Sequence, residues 1–128
     1  MKPRPPESFR NLWVWQRGVE FVLAIYEITK DVPHNDASGV VPQLRRAALQ
    51  IPTKIARGVG IGRYADWVRC LLAAYGSTLE IETALHIARE LKLVSEQAAA
   101  QALLTNDEIA QMLVSMVTSL QLPQESEG

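Results

Sequence analysis

The stretch VVPQLRRAALQIPTKIARGV, residues 40–59, decides the fold. Val41, Leu44, Ala48, Ile51, Ile55 and Val59 recur at intervals of three and four, the period of an α-helix with one buried side. Pro52 sits in the middle, where a proline removes a backbone hydrogen bond and ordinarily kinks or ends a helix. The period and the local rule therefore disagree. Because the same apolar face continues on both sides of the proline, the pattern predicts one kinked helix from about Val40 to Val59. Gly58, Gly60 and Gly62 are expected to end it.

The same period runs outward in both directions. Upstream, Val14, Trp15, Val19, Phe21, Val22, Ile25 and Tyr26 share one side of a helix expected from about Leu12 to Lys30, with Asn11 as its cap. The intervening Asp31–Gly39 holds Pro33, Asn35, Asp36, Ser38 and Gly39 and reads as a loop. Downstream, Arg63 to about Leu93 carries two adjacent stripes. One is Trp67, Leu71, Ala74, Ile81 and Leu85; the other is Val68, Leu72, Tyr75 and Leu79. Together they are wider than the ~100° stripe of an ordinary surface helix, so this helix must bury against more than one neighbour. A fourth helix, from Ser95 to about Leu120, aligns Ala98, Ala102, Ile109, Met112, Leu113, Met116, Val117 and Leu120. Thr105-Asn106-Asp107-Glu108 would also serve as a capping box, which leaves a break there as the competing reading. Four long helices with short connections predict an all-α protein, an antiparallel up-down four-helix bundle over residues 9–121. Disordered tails are expected at 1–8 and 122–128.

Composition agrees with one globular domain. The chain has 128 residues, 48% of them hydrophobic, and at this size a single core buries roughly two thirds of the surface of the unfolded chain. The one cysteine, Cys70, excludes an internal disulfide framework and fits a reducing, cytoplasmic compartment. Pro3, Pro5, Pro6 and Glu7 stand where a signal peptide would need an apolar run. The longest apolar runs, Phe21–Tyr26 and Cys70–Tyr75, fall far short of the roughly 20 residues that span a bilayer, so no membrane partner is expected.

The formal net charge of −1 conceals an asymmetry. Residues 1–70 hold 11 basic and 6 acidic side chains, residues 71–128 only 2 basic and 8 acidic. Between Val40 and Arg69, Arg45, Arg46, Lys54, Arg57, Arg63 and Arg69 face a single acid, Asp66. Such a patch is either a footprint for phosphates or a solvated helix side that meets acids elsewhere. On a helical projection Arg46 and Arg57 lie opposite the apolar stripe, with Lys54 at its margin, so these three and Arg63 are the candidate nucleic-acid ligands. Arg45 lies at the edge of the stripe and reads as structural, with Glu80 or Glu82 as ion-pair partners for the arginines of this helix, either at the bundle edge or across a subunit contact. A guanidinium suits either role because its fork meets carboxylate or phosphate oxygens two at a time.

No constellation points to an enzyme. Glu80 and Glu82, two apart on a helix, diverge by about 200° and cannot flank one bond. Glu82, His86 and Glu90 line one face, but Glu82 to His86 has one residue too many for the Glu-x-x-His of di-iron bundles, and no metal or other cofactor is expected. Cys70 reads as a small buried hydrophobe. Gly58-Val59-Gly60-Ile61-Gly62 lacks the Gly-Lys-Ser/Thr ending of a phosphate loop and follows no strand. Trp13 projects onto the polar side of the first helix, where it is either an interface anchor or folded onto its own chain; with Val68, Leu72 and Tyr75 it is a candidate for the surface of a homo-oligomer.

Phe9-Arg10-Asn11-Leu12, Val14-Trp15-Gln16, Gln43-Leu44-Arg45-Arg46-Ala47-Ala48, Ile51-Pro52, Ile55-Ala56, Gly58, Gly76-Ser77 and Glu80-Ile81-Glu82 also carry a resemblance. Over about residues 9–120 the chain resembles the four-helix-bundle family of intervening-sequence proteins. These are small bacterial proteins, some encoded within intervening sequences of large-subunit ribosomal RNA genes and once labelled S23 ribosomal proteins. The accessory variability determinants of diversity-generating retroelements are similar at greater distance. The resemblance implies a four-helix bundle, pentameric rings, and binding to nucleic acid or to nucleic-acid enzymes. Lys54 and Arg57 stand where the family usually has Asn and Glu, and both departures raise the positive charge of the second helix. The combined expectation is a non-enzymatic homo-oligomeric adaptor that binds RNA, DNA or a nucleic-acid-associated protein. The alternative is an oligomeric scaffold that binds only protein.

Overall fold

The computed structural model describes residues 2–122. A 3-10 turn at Phe9–Asn11 leads into α1 (Trp13–Thr29), α2 (Val40–Ile61), α3 (Tyr64–Glu90) and α4 (Glu96–Gln121), and the described residues contain no strand. Neighbours in sequence pack side by side, α1 closes on α4, and α2 and α4 occupy opposite corners. This is the expected four-helix bundle. Most of the expected C-terminal tail, residues 123–128, lies outside the described residues.

α2 continues through Pro52 without interruption, and all six residues of its apolar stripe are buried. Two close helix approaches flank that proline. A Cβ on Gly18 of α1 would stand 3.3 Å from Ile51 Cγ2 and 3.4 Å from Pro52 Cδ. A Cβ on Gly58 would stand 2.7 Å from Trp67 Cε3 and 3.0 Å from Cys70 Cβ of α3. Gly58 is thus a buried helical residue where α2 and α3 touch, and it does not terminate the helix as the glycine pattern predicts. The terminator is Gly62, whose φ of 78° is left-handed and whose N–H reaches the Gly58 carbonyl at 3.2 Å.

α3 buries its whole first stripe, Trp67, Leu71, Ala74, Ile81 and Leu85. Its second stripe divides: Val68 enters the core cluster, Tyr75 is half-buried, and Leu72 and Leu79 stay exposed. α4 starts at Ser95, whose Oγ accepts the Ala98 N–H at 3.0 Å. It runs unbroken through Thr105–Asp107. The capping-box alternative fails because Thr105 and Asn106 are buried and bonded otherwise. Thr105 Oγ1 donates back to the Gln101 carbonyl at 3.3 Å, and Asn106 Nδ2 donates to the Thr78 carbonyl of α3 at 2.9 Å. At the start of α1, Asn11 is not the cap. It belongs to the 3-10 turn, Leu12 holds the cap position without a side-chain bond, and Phe9 against Trp15 fixes the chain's entry, with ring centroids 5.0 Å apart.

The two glycines of α2 give a test of this packing. Gly58→Ala should destabilise by about 1–3 kcal/mol, because the new methyl meets Trp67 and Cys70. Gly60→Ala, with nothing within 4 Å, should be neutral or stabilise by about 0.5–1 kcal/mol. Leu85→Ala should cost about 2–5 kcal/mol through the cavity left in the core. Urea unfolding followed by circular dichroism measures all three; equal midpoints for the two glycine variants would contradict the α2–α3 contact described.

Candidate nucleic-acid interface

With its stripe against α1 and α3, α2 turns Arg46, Thr53 and Arg57 to solvent and holds Lys54 half-buried at the margin. α2 contains four basic residues, Arg45, Arg46, Lys54 and Arg57, and no acid. Arg46 donates to Gln43 Oε1 at 3.1 Å. Among the described residues Arg46, Lys54 and Arg57 form no ion pair, whereas Arg17, Lys30, Arg63, Arg69 and Arg89 each do. Arg46 and Arg57 are eleven residues apart, so roughly 16 Å separates them along the helix.

Arg63 lies at the start of α3, where its Nε donates to Asp66 Oδ2 at 2.9 Å. Arg69 donates to the other oxygen of the same carboxylate at 2.8 Å. One acid between two guanidiniums leaves one positive charge uncompensated. Both guanidiniums are largely exposed while the Asp66 carboxylate is mostly covered, and solvent around the arginines keeps the contribution of each pair small.

Arg45 is structural, but its partner is not the expected one. Its Nε donates to Thr29 Oγ1 at 3.0 Å and its Nη2 to the Thr29 carbonyl at 3.3 Å, while the guanidinium stands 4.5 Å from the centroid of Tyr26. Thr29 ends α1, where carbonyls lack helical partners and the macrodipole is negative, so a cation there closes the helix. Thr29 Oγ1 donates its own proton to the Ile25 carbonyl at 2.7 Å, leaving its lone pairs for Arg45. Neither Glu80 nor Glu82 pairs with an arginine of α2 among the described residues. Both are exposed, and Glu80 lines a groove of about 520 Å³ between the start of α2 and α3.

Of the surface candidates, Trp13 is 50% exposed and Leu72 48%, and Tyr75 is half-buried. Val68, at 9%, packs inside the chain and presents no surface to a second copy. Exposed Leu104 stands among Gln101, Asp107 and Glu108, where a period-based pattern has nothing to extend, and exposed Leu23 borders Val19 and Tyr26 at the edge of the α1 stripe, which is wider than the buried face.

Other groups offer little chemistry. Cys70 is buried beneath Gly58. His86 Nδ1 lies 3.0 Å from the Arg89 guanidinium, and no cluster of three potential metal ligands forms among the described residues. None of the helices is long and apolar enough to cross a membrane.

What fold and surface define is a four-helix bundle with a cationic strip along one helix that meets no carboxylate among the described residues. The family model for the 23S rRNA-intervening sequence protein matches residues 10–115, and the chain belongs to that family. A solved structure from Bacteroides thetaiotaomicron VPI-5482, described as a protein of unknown function from the S23 ribosomal protein family, is similar at 20% identity. The match covers 81% of this chain and 97% of that one with a TM-score of 0.75, which supports the fold alone. No curated protein matches.

The contrast between adjacent arginines is testable by thermal unfolding. Arg45→Ala should destabilise by about 1–3 kcal/mol, since it strips the end of α1 of two hydrogen bonds and a cation–π contact. Arg46→Ala should change stability by less than about 0.5 kcal/mol.

Proposed function

We propose that the protein is a non-enzymatic, cytoplasmic homo-oligomeric adaptor that binds nucleic acid, RNA in the first place, through the exposed cations of α2. The observation that carries this reading is that Arg46, Lys54 and Arg57 lie on a helix without a single acid and have no carboxylate partner among the described residues. Cations left uncompensated on one strip match the repeated charge of a phosphate backbone, and each phosphate neutralised releases counterions. Self-association is supported by exposed Leu72 and Leu79 on α3, which add apolar surface to the bundle's exterior. The family resemblance makes a five-membered ring the first expectation.

A second reading has its own observation. α4 carries Glu96, Asp107 and Glu108 and no basic residue, and it lies at the corner opposite α2. Glu108 is held by Arg17 of its own chain at 3.2 Å, so in a protein-only scaffold Glu96 and Asp107 of one copy would neutralise the cations of the next.

Light scattering should give a multiple of 14.2 kDa; a monodisperse single chain would remove the oligomer. Gel-shift titration of RNA against wild type and the triple variant Arg46→Glu, Lys54→Glu, Arg57→Glu separates the two readings. Nucleic-acid binding through this strip requires that the variant lose affinity, and that wild-type affinity fall with salt at a logarithmic slope of roughly −0.7 per contact on a single strand. A wild type that binds no RNA or DNA at low salt supports the scaffold.

A further inference from the structure

One end of the bundle gathers cations that are scattered through the sequence. There α1 and α3 begin and α2 and α4 end, so the helix dipoles largely cancel and side chains set the field. Lys2, Arg4 and Arg10 come from the segment before α1, Arg57 from the last turns of α2, and Arg63 and Arg69 from the start of α3. Among the described residues the acids in these same stretches are Glu7 and Asp66, and Asp66 is already held by Arg63 and Arg69. At the other end the five acids Glu27, Asp31, Asp36, Glu90 and Glu96 stand against the four bases Lys30, Arg45, Arg89 and Lys92, so the positive excess is confined to the first end. Lys30 there is bound to Glu27 at 2.6 Å, which holds its ammonium above the ordinary lysine pKa.

The N-terminal segment is laid against the helices by its own contacts. The Lys2 ammonium stands 4.8 Å from the ring centroid of Tyr64, whose hydroxyl donates to the Leu120 carbonyl at 3.1 Å. Arg4 lines a groove with Leu12 and Trp67 on one side and Ser115 and Ser119 of α4 on the other. The Arg10 guanidinium lies 4.7 Å from the ring of Phe9, and its carbonyl accepts from Gln16 Nε2 at 2.8 Å. Cations held in place before a ligand arrives lose less freedom on binding it.

We propose that this end of the bundle is a second binding surface for the phosphodiester backbone of a nucleic acid, formed by Lys2, Arg4 and Arg10 and joined to the α2 strip through Arg57 and Arg63. The inference rests on the nucleic-acid reading above and adds to it the segment ahead of α1. The groups gathered here are ammonium and guanidinium cations, whose commonest partners on a nucleic acid are phosphate oxygens. Binding is therefore to phosphates and indifferent to sequence, and charge separation along the bundle axis directs a polyanion to this end.

The test is fluorescence anisotropy with labelled oligouridylate and oligoadenylate of about 12 nucleotides, a length within the usual single-strand site sizes. The variant Lys2→Glu, Arg4→Glu, Arg10→Glu lies wholly outside the four helices, and circular dichroism should show unchanged helicity. It should weaken both probes by more than about tenfold, equally, and lower the salt slope by about 2, the value for three lost contacts. Lys30→Glu at the far end should leave both unchanged. If wild type binds and the triple variant matches it in affinity and slope, the end surface is refuted while the α2 strip stands. If wild type binds neither probe at low salt, both fall together.

Discussion

The structure depends on how closely α2 approaches its two neighbours. At Gly18 the α1 backbone comes within van der Waals reach of the Ile51 and Pro52 side chains, and at Gly58 the α2 backbone comes against Trp67 and Cys70. A side chain at either glycine would move the helices apart, and the interlock of Leu44, Ile51, Ile55, Leu71 and Leu85 would open with them. Pro52 is buried at one of these approaches, where its ring lies beside Gly18. The same constraint orients the surface. Once α2 has committed two sides to α1 and α3, Arg46 and Arg57 have nowhere to go but solvent.

Where apolar residues repeat, the bundle was legible in the sequence. The stripes of α2 and the first stripe of α3 are buried residue for residue, since a helix hydrophobic on one side has one way to hide it. The reading failed where a single residue has two local solutions and tertiary packing chooses. Thr105 and Asn106 carry the chemistry of a cap, yet burial against α3 turned their side chains to the Gln101 and Thr78 carbonyls and kept the helix whole. Gly58 resembles a terminator and serves as a contact. Val68 and Leu72 share a stripe, but only Val68 turns far enough to reach the core. No periodicity decides such cases, because they depend on the distance to a neighbour.

The surface divides in the same way. That Arg46 and Arg57 point outward follows from the helical projection. That Arg45 closes α1 does not, since its partners Thr29 and Tyr26 are sixteen and nineteen residues away across a loop. The cationic end is less legible still. Lys2, Arg4 and Arg10 belong to a proline-bearing segment that reads as a tail, and only the antiparallel path of the helices brings it beside Tyr64 and the end of α4.

On the proposed reading, these placements would tie assembly to binding. If copies associate with the acids of α4 over the cations of α2, a nucleic acid must compete for Arg46, Lys54 and Arg57, and each partner weakens the other by the same factor. Added salt screens both, so it cannot separate them. The cations ahead of α1 would escape this competition because they lie at the end of the bundle, away from the exposed acid at the middle of α4, Asp107. A ring sealed through α2 would thus keep a phosphate-binding surface on every subunit, repeated around one rim, and a long single strand held at several such points would gain avidity that no single bundle end provides.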